Sequence, residues 1–304
     1  METRNGVANP IMVVGQDQLT YSVACSLLDG GHPVLLLTDD RGAAERYVRK
    51  EIHDCTKLAV ITDWPKEITA KLVILVTPDK LLAKHQCINQ VENRASKDTI
   101  IAVNMESIGL EQIQADSTRP TRIFGLNWSY PVHRTFFAEI ISNAETDPAM
   151  LAQLENWVNV YGKKDACTVK NGFSIRARMM AAMLREGLYL VENEFASIES
   201  VDRACRNDAG FYMSFVGNFR YMDLMGTYAY GMVMKDLNRE LSNRITLPKI
   251  LQEKKDKEET GMAKGKGFYT YSAEEKAYWD TIFRTFSQEI QQLIKKYPHE
   301  SFDH

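Results

Sequence analysis

The segment Gly15-Gln16-Asp17-Gln18-Leu19-Thr20 follows a short apolar run and opens a helical one. In a strand–turn–helix unit, glycines at this turn let the backbone approach a pyrophosphate, whose charge the helix N-terminus stabilises. That pattern is dinucleotide chemistry. Only Gly15 of the expected glycines is present. Asp17 puts a carboxylate where two phosphates would sit, and Thr20 adds bulk where the helix should lie close to the strand. Unit charges about 4 Å apart near a protein surface repel by about 4 kcal/mol, so a site built from Gly15, Asp17 and Thr20 should bind a dinucleotide poorly. Asp39, with Asp40 beside it, follows the second apolar run and is the candidate partner for the adenine ribose. Arg176 and Arg178 carry guanidinium forks suited to a carboxylate or phosphate. The plainer expectation is that one is solvated and the other paired with an acid. His32, His53, His85, His299 and His304 lack metal-ligand spacing and are expected on surfaces, so no metal is expected.

These residues need a scaffold. Residues 11–15, 34–37, 58–62, 72–77 and 100–104 are short Val/Ile/Leu-rich runs without polar alternation, as a sheet buried on both faces requires. Helical patterns between them make the sheet parallel and doubly wound, and residues 123–126 and 136–141 extend it. Asp147-Pro148 reads as an N-cap with proline at the first helical position, opening a helix through Tyr161. Beyond residue 164 the pattern becomes helical. Phe173, Ala177, Met180, Leu184, Leu188 and Val191 recur at helical spacing, a second long helix covers 221–237, a glycine-rich turn covers 261–271 and an amphipathic helix covers 273–296. The expected fold is α/β, a Rossmann-like doubly wound sheet (1–164) followed by an all-helical C-terminal domain (165–304). Phe211, Tyr212, Met213, Phe215, Tyr228, Tyr230, Met232 and Met234 exceed what one small core needs and predict a homodimer through the helical domain.

Composition excludes other classes. The chain has 304 residues, 25% charged, with a formal net charge of −3; nothing basic points to nucleic acid. No apolar run reaches membrane length and the first residues lack an apolar signal core. Five cysteines are scattered without CxxC spacing. Together these predict a cytoplasmic protein with reduced thiols and no membrane partner.

Several segments resemble the 3-hydroxyacyl-CoA dehydrogenase family. Asn171-Gly172-Phe173 is similar to its Pro-Gly-Phe helix entry, 196–204 (ASIESVDRA) to its connecting segment, 217–226 (GNFRYMDLMG) to its Gly-Pro-Phe…Asp…Gly turn, and 261–272 (GMAKGKGFYTYS) to its closing motif. Residues 125–139 (GLNWSYPVHRTFFAE) align on the Gly-x-His-Phe-Phe-Asn-Pro-Val segment that carries catalysis. The resemblance implies NAD-linked oxidoreduction of 3-hydroxyacyl- or 3-oxoacyl-CoA, a histidine acid/base oriented by a glutamate, and a role in fatty-acid metabolism. Glu139 stands at the glutamate position, but Asn127 stands at the histidine position, and an amide does not titrate. General acid–base help is worth about 10²–10⁴ in rate. Glu106 or Ser107 falls at the family's substrate-binding serine, Arg176 at its asparagine, and the helical hairpin that helps hold CoA is reduced to one short helix between Asp40 and Leu58.

These losses predict that the family activity is lost or much reduced, with an acyl-CoA or other small-molecule ligand still possible. One alternative is an active NAD(P)-dependent dehydrogenase on an unusual 3-hydroxy or 3-oxo substrate, with His133 as a relocated base; the plainer expectation for His133 is a satisfied or exposed loop histidine. Another is a partner subunit of an enzyme complex.

Overall fold

The computed structural model describes residues 9–297, apart from the side chains of Ala209, Phe215 and Val216. His299 and His304 lie outside the described residues. Two compact units divide between Ala177 and Arg178.

The first unit carries an eight-stranded sheet: β1 (Ile11–Val14), β2 (Val34–Leu37), β3 (Leu58–Ile61), β4 (Leu72–Leu75), β5 (Ile100–Val103), β6 (Ile123–Trp128), β7 (Phe137–Ile141) and β8 (Asp165–Val169), in the order β3-β2-β1-β4-β5-β6-β7-β8. All neighbours are parallel except β6 and β7. The helices are α1 (Gln18–Asp29), α2 (Arg41–Glu51), α3 (Leu81–Glu92), α4 (Leu110–Gln114) and α5 (Pro148–Asn156). The apolar strands serve two cores. Ile11 and Val13 join Val23, Leu27 and Val48 on one face, while Met12 and Val14 join Ile88, Val91 and Leu110 on the other. Alternate side chains of a strand point to opposite faces, so both faces can be covered only if every position is apolar.

The sheet extends past the expected boundary at residue 164, because Asp165–Val169 pairs with β7 as the outer strand. Its mixed composition, DACTV, suits an edge and hid it from a search for apolar runs. The helix opened by Asp147-Pro148 ends at Asn156, and a wider turn, Trp157–Tyr161, completes the segment.

The second unit is helical. α6 (Ile175–Glu192) begins in the first unit and continues into the second; α7 (Ile198–Ala204), α8 (Gly210–Met225), α9 (Thr227–Leu237), α10 (Lys249–Asp256) and α11 (Ala273–Lys296) follow. The long helix expected over 221–237 is broken at Gly226, whose φ of 105° no L-residue adopts without strain, so its parts belong to α8 and α9. Among the described residues no helix is long and apolar enough to cross a membrane.

Lys164, just before β8, is buried, with Nζ donating to the carbonyls of Val132 at 2.5 Å and Thr135 at 2.8 Å. Burial pushes its ammonium down to about 8, although the charge of Asp29 opposes the shift. A lysine whose folded pKa lies below its unfolded value binds fewer protons folded than unfolded between those values. The folded state therefore gains stability as pH rises from about 8 to about 10.5, by up to about 3 kcal/mol. Urea melts of wild type and Lys164→Met should show that gain only in wild type; parallel pH profiles would refute it.

Candidate active site

The antiparallel step in the sheet places Asn127 of β6 opposite Glu139 of β7. Both are buried, Glu139 completely and Asn127 at 2% exposure. Asn127 Nδ2 donates to Glu139 Oε2 at 2.8 Å and to the Met105 carbonyl at 2.7 Å, and its Oδ1 accepts from the Met105 N–H at 2.9 Å. All three bonds require this orientation of the amide. Asn127 therefore ties the loop after β5 to the glutamate.

Glu139 in turn caps α6. Its Oε1 accepts the backbone N–H groups of Ile175 at 2.6 Å and Arg176 at 3.1 Å, and its Oε2 accepts the Ser174 hydroxyl at 2.7 Å as well as Asn127. A carboxylate is well placed at a helix start, where N–H groups lack partners inside the helix. Ser174 also accepts from the Ala177 N–H at 3.0 Å, as an N-cap does. A serine three residues before Ala177, at the start of a helical stripe, is the sequence signal for this cap.

Glu106 and Arg176 close the arrangement, with Arg176 Nη1 2.6 Å from Glu106 Oε1. Met105 is bound to Asn127, Asn127 to Glu139, Glu139 to the Arg176 backbone, and the Arg176 side chain to Glu106, the neighbour of Met105. The result is a ring of bonded groups. Arg176 thus takes the paired role anticipated for one of the two arginines. Ser107 lies outside the ring, donating its N–H at 2.9 Å and hydroxyl at 2.6 Å to Asp79. Burial pushes the Asp79 carboxyl up, but these bonds and the charge of Lys84 outweigh it and hold it below its ordinary range. Lys84, which no sequence pattern marks, is fully buried and donates to Asn104 O at 2.6 Å and Thr77 Oγ1 at 3.1 Å.

His133 is not brought to this ring. Its Nδ1 lies 3.2 Å from Ser22 Oγ of α1 and its Nε2 3.1 Å from Glu51 of α2, with Arg134 2.9 Å from the same carboxylate. The histidine pins the loop after β6 onto two helices, and its burial drives its pKa below the usual value. Those contacts are those of a satisfied loop histidine, the plainer of the two readings of this residue. His85 is likewise no free surface residue: Nδ1 is 2.8 Å from Asp116 and the side chain is 12% exposed. Among the described residues no group of three His, Cys, Asp or Glu is gathered to hold a metal.

At the first turn, Asp17 is the N-cap of α1, its Oδ1 accepting the Thr20 N–H and hydroxyl, each at 2.8 Å. A Cβ on Gly15 would collide with Thr20 and the Val76 carbonyl, so the strand still passes close to the helix. Gln16 reaches the end of β2, its Oε1 accepting from the Asp39 N–H at 2.7 Å and Thr38 Oγ1 at 3.0 Å. An exposed carboxylate thus occupies the helix start, and the Gln16 side chain bridges to Asp39, the candidate for the ribose. These residues do not fit the pyrophosphate of NAD in the manner of the glycine fingerprint.

Comparison with known proteins decides the ancestry. Residues 10–171 match the 3-hydroxyacyl-CoA dehydrogenase NAD binding domain, and residues 172–271 match the C-terminal domain of the same family. The chain belongs to the 3-hydroxyacyl-CoA dehydrogenase family. It is 28% identical over 208 residues to 5-formyl-3-hydroxy-2-methylpyridine 4-carboxylate 5-dehydrogenase of Mesorhizobium japonicum, covering 68% of this chain and 67% of that one. It is 27% identical over 240 residues to the fatty acid oxidation complex subunit alpha of Shewanella putrefaciens, covering 78% of this chain but only 33% of that subunit. A crystal structure of a 5-formyl-3-hydroxy-2-methylpyridine 4-carboxylic acid 5-dehydrogenase, described as an NAD+ dependent dismutase, superposes with a TM-score of 0.84 at 22% identity over 96% of this chain and 99% of that one. A 3-hydroxyacyl-CoA dehydrogenase from Archaeoglobus fulgidus gives a TM-score of 0.68 at 25% identity, covering 96% and 100%. The Rossmann-like fold with its helical C-terminal unit is thus that of the family.

Proposed function

We propose that this member has given up the NAD-linked hydride transfer of its family and retains the scaffold for binding. The observation that carries this is the state of Asn127. The group at the acid/base position cannot take a proton, and each of its polar atoms is engaged by Met105 or Glu139. The carboxylate cap at Asp17 supports it independently.

Fluorescence titration with NADH, followed by assay with acetoacetyl-CoA, tests this. Wild type should show no saturable NADH binding below millimolar concentration and turnover at least about 10²-fold below that of a histidine-bearing relative. Asn127→His alone should not restore it, because the first turn still opposes the cofactor. Stoichiometric NADH binding with turnover would instead favour the working-dehydrogenase alternative.

The helical unit supports a further reading, that the chain acts as a homodimer. Among the described residues from 178 to 297 no apolar side chain is buried. Tyr228, Phe219 and Phe211 are 82%, 84% and 65% exposed. A groove of about 650 Å³ opens among Met183, Leu188, Val201, Leu251 and Phe268. An apolar surface of this extent calls for an equally apolar partner, and a second copy supplies it by symmetry.

A further inference from the structure

The Arg176–Glu106 pair joins residues 70 positions apart, with 38% and 45% of their side chains exposed. Arg176 stands where the family resemblance expects an asparagine, and Glu106 or Ser107 where it expects a serine, so opposite charges meet beside the Asn127–Glu139 pair. Ion pairs this exposed contribute little to stability, so folding does not explain the placement. What the pair does is hold a carboxylate on a guanidinium.

We infer that Arg176 is the receptor for the carboxylate of a small free-acid ligand, and that the Glu106 carboxylate is its built-in stand-in, displaced on binding. The inference rests on the preceding proposal only in taking the surface beside Asn127 and Glu139 as the ligand site. Two observations add to the geometry. Phe173 and Ile175, near Arg176 in the chain, are 53% and 48% exposed and offer an apolar surface for the body of such an acid. Between β2 and β3 the chain forms α2 alone, in place of the helical hairpin that the resemblance would use to hold CoA. The negative charge of Glu139 does not repel the ligand strongly, because it is already shared among Asn127, Ser174 and the start of α6.

Calorimetry of the full chain at low salt, with benzoate and acetoacetate as probes and benzamide and acetoacetamide as uncharged controls, tests this. The acids should bind wild type, bind Glu106→Gln at least about threefold tighter because the competitor is gone, and bind Arg176→Gln at least about tenfold more weakly. The amides should not bind. Equal affinity of the acids for Arg176→Gln, or no binding to a folded Glu106→Gln protein, overturns the inference; Glu106→Ser replaces the glutamine variant should that fail to fold. NADH turnover is read separately. Acid binding through Arg176 in a protein that also turns over NADH would refute the preceding proposal and uphold this one, while loss of both would refute this one alone.

Discussion

Glu139→Ala should cost the protein at least about 3 kcal/mol of stability, read as a lower urea midpoint at unchanged slope. The substitution leaves one of the two Asn127 Nδ2 hydrogens, the Ser174 hydroxyl and the N–H groups of Ile175 and Arg176 without the acceptor they share, in a site closed to water at Glu139. Each buried donor stranded in this way costs about 1–3 kcal/mol, and part of that is recovered by relaxation. Glu139→Gln should fall between, at about 1–2 kcal/mol, because its amide keeps one acceptor oxygen but turns an N–H₂ toward other donors. A carboxylate kept for proton transfer commonly behaves the other way, its removal sparing or raising stability while abolishing rate. If Glu139→Ala melts like wild type, the capping role assigned to this residue is wrong.

The second large effect concerns assembly. Sedimentation equilibrium should find a dimer at micromolar concentration, and the thermal midpoint should rise with protein concentration, since only the folded state associates. Stable obligate interfaces bury upwards of about 2,000 Å² and resemble a divided core. That matches a helical unit in which Met232, Met234 and Leu237 are 41%, 50% and 49% exposed. Tyr228→Asp combined with Met232→Asp places two charges on successive turns of one face of α9. The double variant should dissociate at concentrations where wild type is dimeric and should lose cooperative melting of the helical unit. A wild-type monomer with a concentration-independent midpoint would end this reading.

The sheet was largely legible because its strands are continuously apolar, a pattern that burial on both faces imposes. What escaped the sequence was what local pattern does not encode. Strand β8 carries polar residues because it lies at the sheet edge, and Gly226 ends a helix through a backbone conformation rather than through a gap in apolar spacing. Lys84, Lys164 and Arg122 are buried although their types suggest solvent; each finds carbonyl acceptors supplied by distant loops. At the candidate site the single residues Asn127, Glu139, Glu106 and Arg176 could be named from their alignment. Their union into one ring could not, because it depends on the register of β6 against β7 and on where α6 begins. The partners of His133 were hidden for the same reason: Ser22 and Glu51 are remote in sequence.

The bond between Asp17 and Thr20 has an evolutionary consequence. Thr20 is fully buried and its hydroxyl leans on the aspartate, so replacing either residue alone strands or hollows the other. Restoring a phosphate-binding turn by single substitutions must therefore pass through a less stable protein. On the function proposed above, this coupling makes a loss of dinucleotide binding hard to reverse one residue at a time.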